Sequence, residues 1–425
     1  MEGISICRSI IETVQSLIQS EDFKTAYRIG NCFTRKRKLG FENLMYFLLH
    51  QSKKSLSINI IDFLEGFPQL GIQDLSRQAV AKARKGIHIQ AFQELMRISC
   101  SMYYQLSSSP DTWHGYRIFA IDGTTLQMPQ TRQNLNEFGT STNQTGTQFA
   151  MASASVLFDV MNDIILDAQM NICNYSERAF ALQHLESLSC SNRSARNILI
   201  FDRGYPSFDM FQELTKKKQL FVMRLKNSTK AMEGADSNDI IIRYGPQYPK
   251  GHDTLVRVVR FSLEGGGEET LITNLFDPEI TVELLKELYY LRWGIEGKYQ
   301  ELKDRLQLEN FSGSSSQILR QDFYLTMFFS NLVSIMKRTV DEEIAMELKE
   351  SSSVRCYQAN RGFLINRIKK HLVKILLDME NVTETLELIV LQSKKIRSQI
   401  RLNRKYERKS KLTRRKHHHN RKPCL

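Results

Sequence analysis

Four side chains in the second half of this sequence share a spacing that suggests chemistry on a phosphate. They stand at offsets of 0, 3, 7 and 14 residues, namely Tyr289, Arg292, Glu296 and Lys303. On one continuous helix, which turns by roughly 100° per residue, they would form a single narrow polar stripe. A solvated helix face scatters its charges more widely, and a core-facing stripe is apolar. A tyrosine, two cations and a lone carboxylate in one line therefore suit the binding of a polyanion and a metal ion.

Two aspartates, Asp122 and Asp202, each follow a β-prone apolar run, at Phe119–Ile121 and Ile198–Phe201 respectively. Carboxylates are depleted in strands, although a single acid at a strand end is commonly a cap or turn residue. If both aspartates and Glu296 converged, their mutual repulsion would require a bound divalent metal ion. Oxygen ligands without thiolate or histidine favour Mg²⁺ or Mn²⁺. Two such ions about 4 Å apart could support in-line phosphodiester displacement by water or a 3′-hydroxyl.

The elements that must position these residues have the patterns of an α/β domain. We predict strands at 116–121 and 124–128 around a turn at Gly123, a hairpin of Ala154–Val160 and Ile164–Met170, a helix Ser176–Ser187, a strand Asn197–Phe201, a helix Phe208–Lys217 and a strand Leu220–Leu225. This order is that of a ribonuclease H-like mixed sheet flanked by helices. In such a sheet the first and fourth strands are neighbours, so Asp122 and Asp202 would face one cleft. A later helix, capped at Thr281, would bring Glu296 over it.

The chain is predicted to contain three domains. Residues 1–105 have helical apolar spacing and would form a helical N-terminal domain. A ribonuclease H-like catalytic domain would span 116–375, interrupted by a β-rich insertion at about 226–275, and a C-terminal helix and basic tail would occupy 376–425. Within the first domain, the helix 77–85 presents Arg77 and Arg84 on a basic side. It could enter a DNA major groove, or it could be a surface helix docked by its alanines.

The formal charge of +13 is concentrated at the carboxyl end. From Lys394 to Leu425 there are fourteen lysines and arginines against one acid, Glu407, which accounts for the whole excess. Such a tail attracts phosphate without sequence preference, or serves as a solubilising end. No apolar run reaches the roughly 20 residues that a membrane span needs, and the seven cysteines show no zinc-site spacing. We therefore expect a cytoplasmic protein that contacts nucleic acid and no membrane.

The motif Tyr289-x2-Arg292-x3-Glu296-x6-Lys303 resembles, at every spacing, that of the insertion-sequence-four (IS-four) family of DDE transposases. Asp122-Gly123-Thr124-Thr125 and Asp202-Arg203-Gly204-Tyr205 resemble the surroundings of that family's first two catalytic aspartates. Further similar segments are Ser176-Glu177-Arg178, Glu309-Asn310-Phe311-Ser312-Gly313 and Tyr357-x2-Asn360-Arg361. The resemblance covers about residues 30 to 370.

The resemblance implies a prokaryotic, DNA-associated enzyme of cut-and-paste transposition. Such an enzyme binds terminal inverted repeats, cleaves both strands at the element ends and joins the 3′ ends to target DNA, as a homodimer in a synaptic complex. It implies that Asp122, Asp202 and Glu296 are the catalytic ligands of two Mg²⁺ or Mn²⁺ ions. DNA contacts are implied for Tyr289, Arg292, Lys303, Trp293 and Arg203. The family layout also implies that the helical domain of residues 1–105 is a DNA-binding domain. Trp293 could stack on a flipped base or pack into the core.

Two other functions stay open from the sequence. One is a ribonuclease H-like DNA nuclease or resolvase that cuts without strand transfer, and the motif helix with its β insertion argues against it. The other is a domesticated, non-catalytic DNA-binding protein, and the intact set of three acids argues against that.

Overall fold

The structure is a computed structural model that describes residues 2–35, 37–50, 52–142, 146–190, 196–226, 231–232, 235–244, 254–263, 266–350 and 356–400. The predicted basic tail lies outside the described residues from position 401 onward. The described helices are α1 (Glu2–Gln19), α2 (Glu21–Tyr27), α3 (Phe41–His50), α4 (Leu56–Gly66), α5 (Arg77–Arg84), α6 (Gln90–Leu106), α7 (Arg132–Phe138), α8 (Glu177–Cys190), α9 (Phe208–Lys216), α10 (Val282–Tyr290), α11 (Trp293–Gln300), α12 (Ser316–Glu350), α13 (Arg361–Leu377) and α14 (Val382–Lys395). A 3-10 turn spans Pro68–Leu70 and a π-helical turn spans Glu301–Arg305. The described strands are β1 (Arg117–Gln127), β2 (Thr140–Thr142), β3 (Gln148–Asp159), β4 (Ile164–Ile172), β5 (Asn197–Phe201), β6 (Leu220–Arg224), β7 (Asp239–Tyr244), β8 (Thr254–Ser262), β9 (Glu268–Thr273), β10 (Tyr357–Ala359) and β11 (Arg397–Gln399).

Two compact units divide the described part of the chain. The sheet unit comprises the described residues of Ser109–Thr125 and Ser153–Gln300. The helical unit comprises those of Met1–Ser108, Leu126–Ala152 and Glu301–Leu425. Each unit is therefore assembled from separate stretches of sequence.

The main sheet has the strand order β2-β3-β1-β5-β6-β9-β8-β7, with β4 paired to β3. β1, β5 and β6 are parallel neighbours. β3 runs antiparallel to β1, since the Val160 amide donates to the Ile118 carbonyl at one end and the Met128 amide donates to the Ala150 carbonyl at the other. The apolar sequence of β5 fits a central strand that is buried on both faces. Strands β4-β3-β1-β5-β6 thus follow the spatial order third, second, first, fourth and fifth of a ribonuclease H-like sheet. The predicted α/β fold class is confirmed.

The predicted β-rich insertion extends this sheet. β9 pairs antiparallel with β6, β8 with β9, and β7 with β8. Because β9 joins β6 directly, the described strands of this segment continue the main sheet.

β1 is a single strand, and the predicted break at Gly123 is wrong. The strand passes through Gly123 as far as Gln127. An added Cβ at this glycine would stand 3.3 Å from a carboxylate oxygen of Glu177, a close approach that a side chain here would require Glu177 to accommodate. The glycine therefore accommodates a neighbouring side chain rather than ending the strand.

The helix predicted to carry the polar stripe is divided into three segments, so the single stripe is wrong. α10 ends at Tyr290, α11 begins at Trp293, and the π-helical turn follows α11. Between α10 and α11 the amides donate three residues back, as from Arg292 to the Tyr289 carbonyl at 3.1 Å. Because 3-10 and π turns rotate the chain by different angles from an α-helix, the angles of one continuous helix do not apply to the four motif side chains.

α12 is the longest described helix of the helical unit, with 35 residues, and every residue from 323 to 336 within it is buried. It packs against α1, α6, α13 and α14, and the Asn331 amide of α12 donates to the Ser99 hydroxyl of α6 at 3.1 Å. The N-terminal helices and the C-terminal helices therefore share one core. Among the described helices, none combines the length and apolarity that crossing a membrane would require.

Arg84 does not lie on an exposed basic face of α5, contrary to prediction. The Ser76 hydroxyl caps this helix by accepting a hydrogen bond from the Ala79 amide. Arg84, however, is only 2% exposed, and its Nη2 contacts Oδ1 of Asp322 at 2.8 Å. A partner 238 residues away gives no local signal in the sequence. Arg77 remains exposed.

Candidate active site

Asp122 and Asp202 belong to neighbouring parallel strands of the sheet unit. The register pairs Ala120 with Ile200, and the same offset two residues further along matches Asp122 with Asp202. β5 ends at Phe201, so Asp202 stands at the carboxyl edge of the sheet, where open α/β sheets bind ligands. Both aspartates are half-buried.

Hydrogen bonds to the backbone hold Asp122 in place. Its carbonyl accepts the Ser155 hydroxyl at 2.9 Å and the Tyr299 hydroxyl at 2.7 Å. One of its carboxylate oxygens accepts the Gly123 amide at 2.9 Å. The strand on which the carboxylate stands is thus fixed from β3 and from α11.

α10 carries Tyr289 to Asp202. The helix begins at the predicted cap, where the Thr281 hydroxyl accepts the Leu284 amide. Its buried side chains share a core with the sheet, formed by Ile118, Ile198, Ile200, Val222, Leu271, Leu285, Leu288 and Tyr289. From this core the Tyr289 hydroxyl donates to Oδ1 of Asp202 at 3.3 Å.

Arg292 and Glu296 form an ion pair along the start of α11. Nη2 of Arg292 lies 3.2 Å from Oε1 of Glu296, whose side chain is 43% exposed. Arg292 is buried, its guanidinium lies 5.0 Å from the centre of the Trp293 ring, and its Nε has no hydrogen-bond partner in the described part of the chain. Ion pairs with an exposed partner contribute about 1 kcal/mol or less, so Glu296 can exchange Arg292 for another partner.

α11 is anchored beside the hairpin of β3 and β4. The buried Lys298 contacts Oδ1 of Asp163 at 2.7 Å, and Asp163 lies in the hairpin turn with φ of 61°. At Gly294 an added Cβ would come within 3.6 Å of Val160, an ordinary van der Waals distance. These contacts fix the part of α11 from which Glu296 projects.

Glu177, at the start of α8, is a third acid close to the two aspartates. An added Cβ at Gly204 would stand 2.8 Å from its Oε2, and one at Gly123 would stand 3.3 Å from its Oε1. Two glycines therefore provide the space for this carboxylate. No role for Glu177 was predicted from the sequence, although Glu177 lies in the segment Ser176-Glu177-Arg178, which resembles the IS-four family. The sequence feature that could have identified Glu177 is an acid in the first turn of a helix that follows a strand.

Arg178 holds the loop that follows Asp202. Its guanidinium donates to the carbonyls of Gly204, Tyr205 and Pro206 at 3.3, 3.1 and 3.0 Å. Three hydrogen bonds from one planar guanidinium group strongly restrict the conformation of this loop.

Burial and neighbouring carboxylates raise the pKa values of Asp122 and Glu177. Burial, and then the charges of Glu177 and Asp202, raise the pKa of Asp122 to about 6, although the Gly123 amide and Arg292 oppose the shift. Burial and the charge of Asp202 also raise the pKa of Glu177. The carboxylates thus carry more negative charge than their surroundings compensate.

A divalent cation fits part of this arrangement. Asp122 and Asp202 offer carboxylate oxygens, the ligands that Mg²⁺ and Mn²⁺ prefer, and their excess negative charge favours a cation. The nearby Tyr205 hydroxyl is buried without a hydrogen-bond partner in the described residues. Within the described ranges, however, no three histidine, cysteine or acidic side chains already form a group that could hold a metal ion. Glu296 would have to leave Arg292 to complete one.

The remaining predicted DNA contacts are placed as follows. Trp293 is 42% exposed at the start of α11, so it is not a core residue. Arg203 is exposed in the loop after β5. Lys303 is half-buried in the π-helical turn, which belongs to the helical unit.

A family model described as a transposase DDE domain matches residues 113–332. This chain belongs to that family. The matched span of the DDE domain contains Asp122, Asp202 and Glu296, and it begins before β1 and ends within α12. The predicted identity as a DDE transposase of the IS-four type is confirmed.

Two similar proteins from Escherichia coli are also named as transposases. Transposase InsG for insertion sequence element IS4, from Escherichia coli (strain K12), is 20% identical over 321 residues, which are 72% of this chain and 71% of InsG. Putative transposase InsZ, from the same organism, is 24% identical over 151 residues, which are 35% of this chain and 49% of InsZ. A cryo-EM structure of the piggyBac transposase synaptic complex with hairpin DNA aligns with a TM-score of 0.44 and 10% identity, covering 93% of this chain and 82% of that one.

Proposed function

We propose that this chain is a cut-and-paste transposase that cleaves DNA at the terminal inverted repeats of an insertion sequence and transfers the 3′ ends to target DNA. The observation that carries the proposal is that Asp122 stands on β1 and Asp202 directly follows the neighbouring parallel strand β5, in a chain of the DDE transposase family. We further propose DNA as its partner and a homodimer as the assembly that holds two element ends.

Asp122, Asp202 and Glu296 would hold the metal ions in this proposal. When bound, two Mg²⁺ or Mn²⁺ ions would supply activation of water or a 3′-hydroxyl and stabilisation of the leaving oxygen. The Tyr289 hydroxyl orients the carboxylate of Asp202 through its hydrogen bond. Glu296 would be the third carboxylate ligand once released from Arg292, and the Arg292 guanidinium would then be able to bind another anion.

The freed Arg292 is suited to the phosphate at the DNA end. A guanidinium can donate two parallel hydrogen bonds to one phosphate, and the unpartnered Nε of Arg292 adds a donor. The exposed Trp293 ring beside it is available to stack on a base, and Arg203 lies in the loop after Asp202. Lys303 is proposed as a further phosphate contact.

Incubation of the purified protein with Mg²⁺ and a labelled DNA that ends in its inverted repeats tests the proposal. The repeats are found as inverted sequences that flank the gene, bracketed by a short direct duplication. We expect cleavage at the repeat end followed by joining to a second DNA. Cleavage without joining would indicate a nuclease, and binding without cleavage would indicate a non-catalytic protein.

Removing the Tyr289 hydroxyl should slow cleavage. We expect Tyr289→Phe to lower the cleavage rate by at least about tenfold, since a lost hydrogen bond to a charged group costs roughly 1.5–3 kcal/mol. The matched control is Tyr290→Phe, because Tyr290 is 71% exposed on the same helix. Equal rates for the two variants would show that the bond to Asp202 is irrelevant to catalysis.

Adding a methyl group at Gly204 should displace the Glu177 carboxylate. An added Cβ would stand only 2.8 Å from Glu177 Oε2, so Gly204→Ala must shift that acid or the loop after Asp202. We expect a fall of about tenfold or more in the cleavage rate, because small misplacements of catalytic groups can cost roughly a hundredfold. Gly297→Ala is the control, since nothing lies within 4 Å of its added Cβ. That control should leave the rate unchanged and stabilise α11 by about 1 kcal/mol.

A further inference from the structure

The helical unit contains a polar cavity that the proposed catalytic chemistry does not use. Its volume is about 50 Å³, several times the roughly 10–15 Å³ that one water molecule occupies by the same kind of measure. Residues from the segment after α3, from the segment before α12, and from α12 and α13 line it, and its polar members include Ser52, Lys53, Asn310, Ser312, Asp322 and Lys369. There is room in it for more than a single water.

Asp322 is the one acid among the described residues that line this cavity, and both of its carboxylate oxygens already have partners. Oδ1 of Asp322 accepts a hydrogen bond from Nη2 of Arg84 at 2.8 Å, and Oδ2 accepts one from the Ser312 amide at 2.7 Å. The Ser312 hydroxyl bonds to the same carboxylate. Asp322 is thus committed to Arg84 and to the segment before α12.

The two lysines of the cavity have no carboxylate partner in the part of the chain that the structure describes. The Lys53 ammonium donates to the carbonyl of Asn310 at 3.3 Å, a long and neutral contact. The Lys369 ammonium lies 5.6 Å from the centre of the Phe329 ring. Three cationic side chains, Arg84 and these two lysines, therefore face one carboxylate, so the half-buried space holds an excess of two positive charges when both lysines are protonated.

This excess charge is unfavourable as long as nothing neutralises it. Burial, and then the charge of Lys53, lower the pKa of Lys369 to about 7. Burial also lowers the pKa of Lys53, with Asp322 opposing the shift and Arg84 adding to it. An anion between the two ammonium groups would reverse both effects.

We propose that this cavity binds a doubly charged phosphate group, held by the ammonium groups of Lys53 and Lys369. A phosphate monoester or free phosphate carries about −1.5 to −2 charges at neutral pH, which matches the excess in the cavity, whereas a phosphodiester carries one. Lysine ammonium groups are compact donors that suit phosphate oxygens. The group can come from inorganic phosphate or from the 5′-phosphorylated end of a DNA strand. This site involves no residue of the proposed active site.

Calorimetric titration of the full chain with inorganic phosphate, at constant ionic strength, tests the proposal. We expect saturable binding to the unmodified protein and a loss of affinity of at least about tenfold in Lys369→Met, because the variant loses a charge-assisted hydrogen bond to the phosphate. The control is Lys370→Met, since Lys370 is the exposed neighbour on the same helix, and its affinity should be unchanged. Absence of phosphate binding, or equal affinity in the two variants, would overturn the proposal.

A second variant and a second ligand complete the test. Lys53→Met should lose affinity as Lys369→Met does, and both should melt no earlier than the unmodified protein in phosphate-free buffer, because each removes an uncompensated charge. Unchanged affinity in a folded Lys53→Met would also overturn the proposal. A short oligonucleotide with a 5′-phosphate should displace inorganic phosphate if the source is a strand end, whereas the same strand with a 5′-hydroxyl should not. Displacement by neither strand would assign the site to free phosphate.

Discussion

Replacing Asp122 or Asp202 with asparagine, or Glu296 with glutamine, should reduce Mg²⁺-dependent cleavage of an inverted-repeat end by roughly a thousandfold or more, the scale on which essential catalytic groups act. The amides keep the size of the acids but lose the charge that a divalent cation requires. Cleavage of a labelled repeat end, quantified on a denaturing gel over time, measures the effect.

The control for this triad is Asp209→Asn, because Asp209 is an exposed aspartate on α9 of the same unit. That variant should cleave normally. Binding of the repeat end should persist in all four proteins, which separates loss of chemistry from loss of DNA contact. Cleavage by Asp122→Asn or Asp202→Asn at the unmodified rate would remove the acids from the mechanism.

Breaking the buried pair of Arg84 and Asp322 should give the largest loss of stability. Arg84→Met leaves a buried carboxylate without its cation, and removing one partner of such a pair costs about 3–5 kcal/mol. We expect urea unfolding to report a loss of that size, whereas Arg77→Met, at an exposed position of the same helix, should stay within about 0.5 kcal/mol. The double variant with Asp322→Asn should lose less than the sum of the single losses, and additive losses would show that the two side chains do not interact.

The same pair predicts how stability depends on pH. Burial raises the pKa of Asp322, but Arg84, Lys53 and the Ser312 hydrogen bonds outweigh it and lower the pKa in the folded state. A lowered folded pKa gives a stabilisation that is complete above the unfolded value of about 3.9 and is lost as the pH falls below it. The difference in unfolding free energy between the unmodified protein and Asp322→Asn should therefore shrink below about pH 4.

In the sheet unit, the elements that depend on residues close in sequence were predicted correctly. The hairpin around Asp163 formed because turn residues separate two β-prone runs, and β5 has the predicted bounds Asn197–Phe201. Thr281 caps α10 because its hydroxyl can bond an amide three residues on. These features depend on neighbours in sequence, so they can be derived without the fold.

Features that depend on distant residues could not be predicted. The break between α10 and α11 has no proline, and it follows from packing of each segment against a different part of the sheet unit. The local pattern predicts Arg84 on a basic face, since its partner Asp322 is 238 residues away and leaves no local signal. The position of Glu177 beside Gly204 likewise required the sheet, since three separate stretches of chain meet there. The metal ligation by Asp122, Asp202 and Glu296 stays a prediction.

The order in which the chain leaves the ribosome matters for a protein divided in this way. The last residue of the sheet unit is Gln300, so every residue of that unit has been synthesised before α12 exists. The N-terminal helices α1 and α6, by contrast, have been synthesised but must wait for α12, against which they pack. Their apolar faces stay exposed during most of translation, which makes nascent chains of this protein candidates for chaperone binding. A transcript cut short after the sheet unit would yield a protein that keeps its predicted catalytic acids but cannot complete its second core.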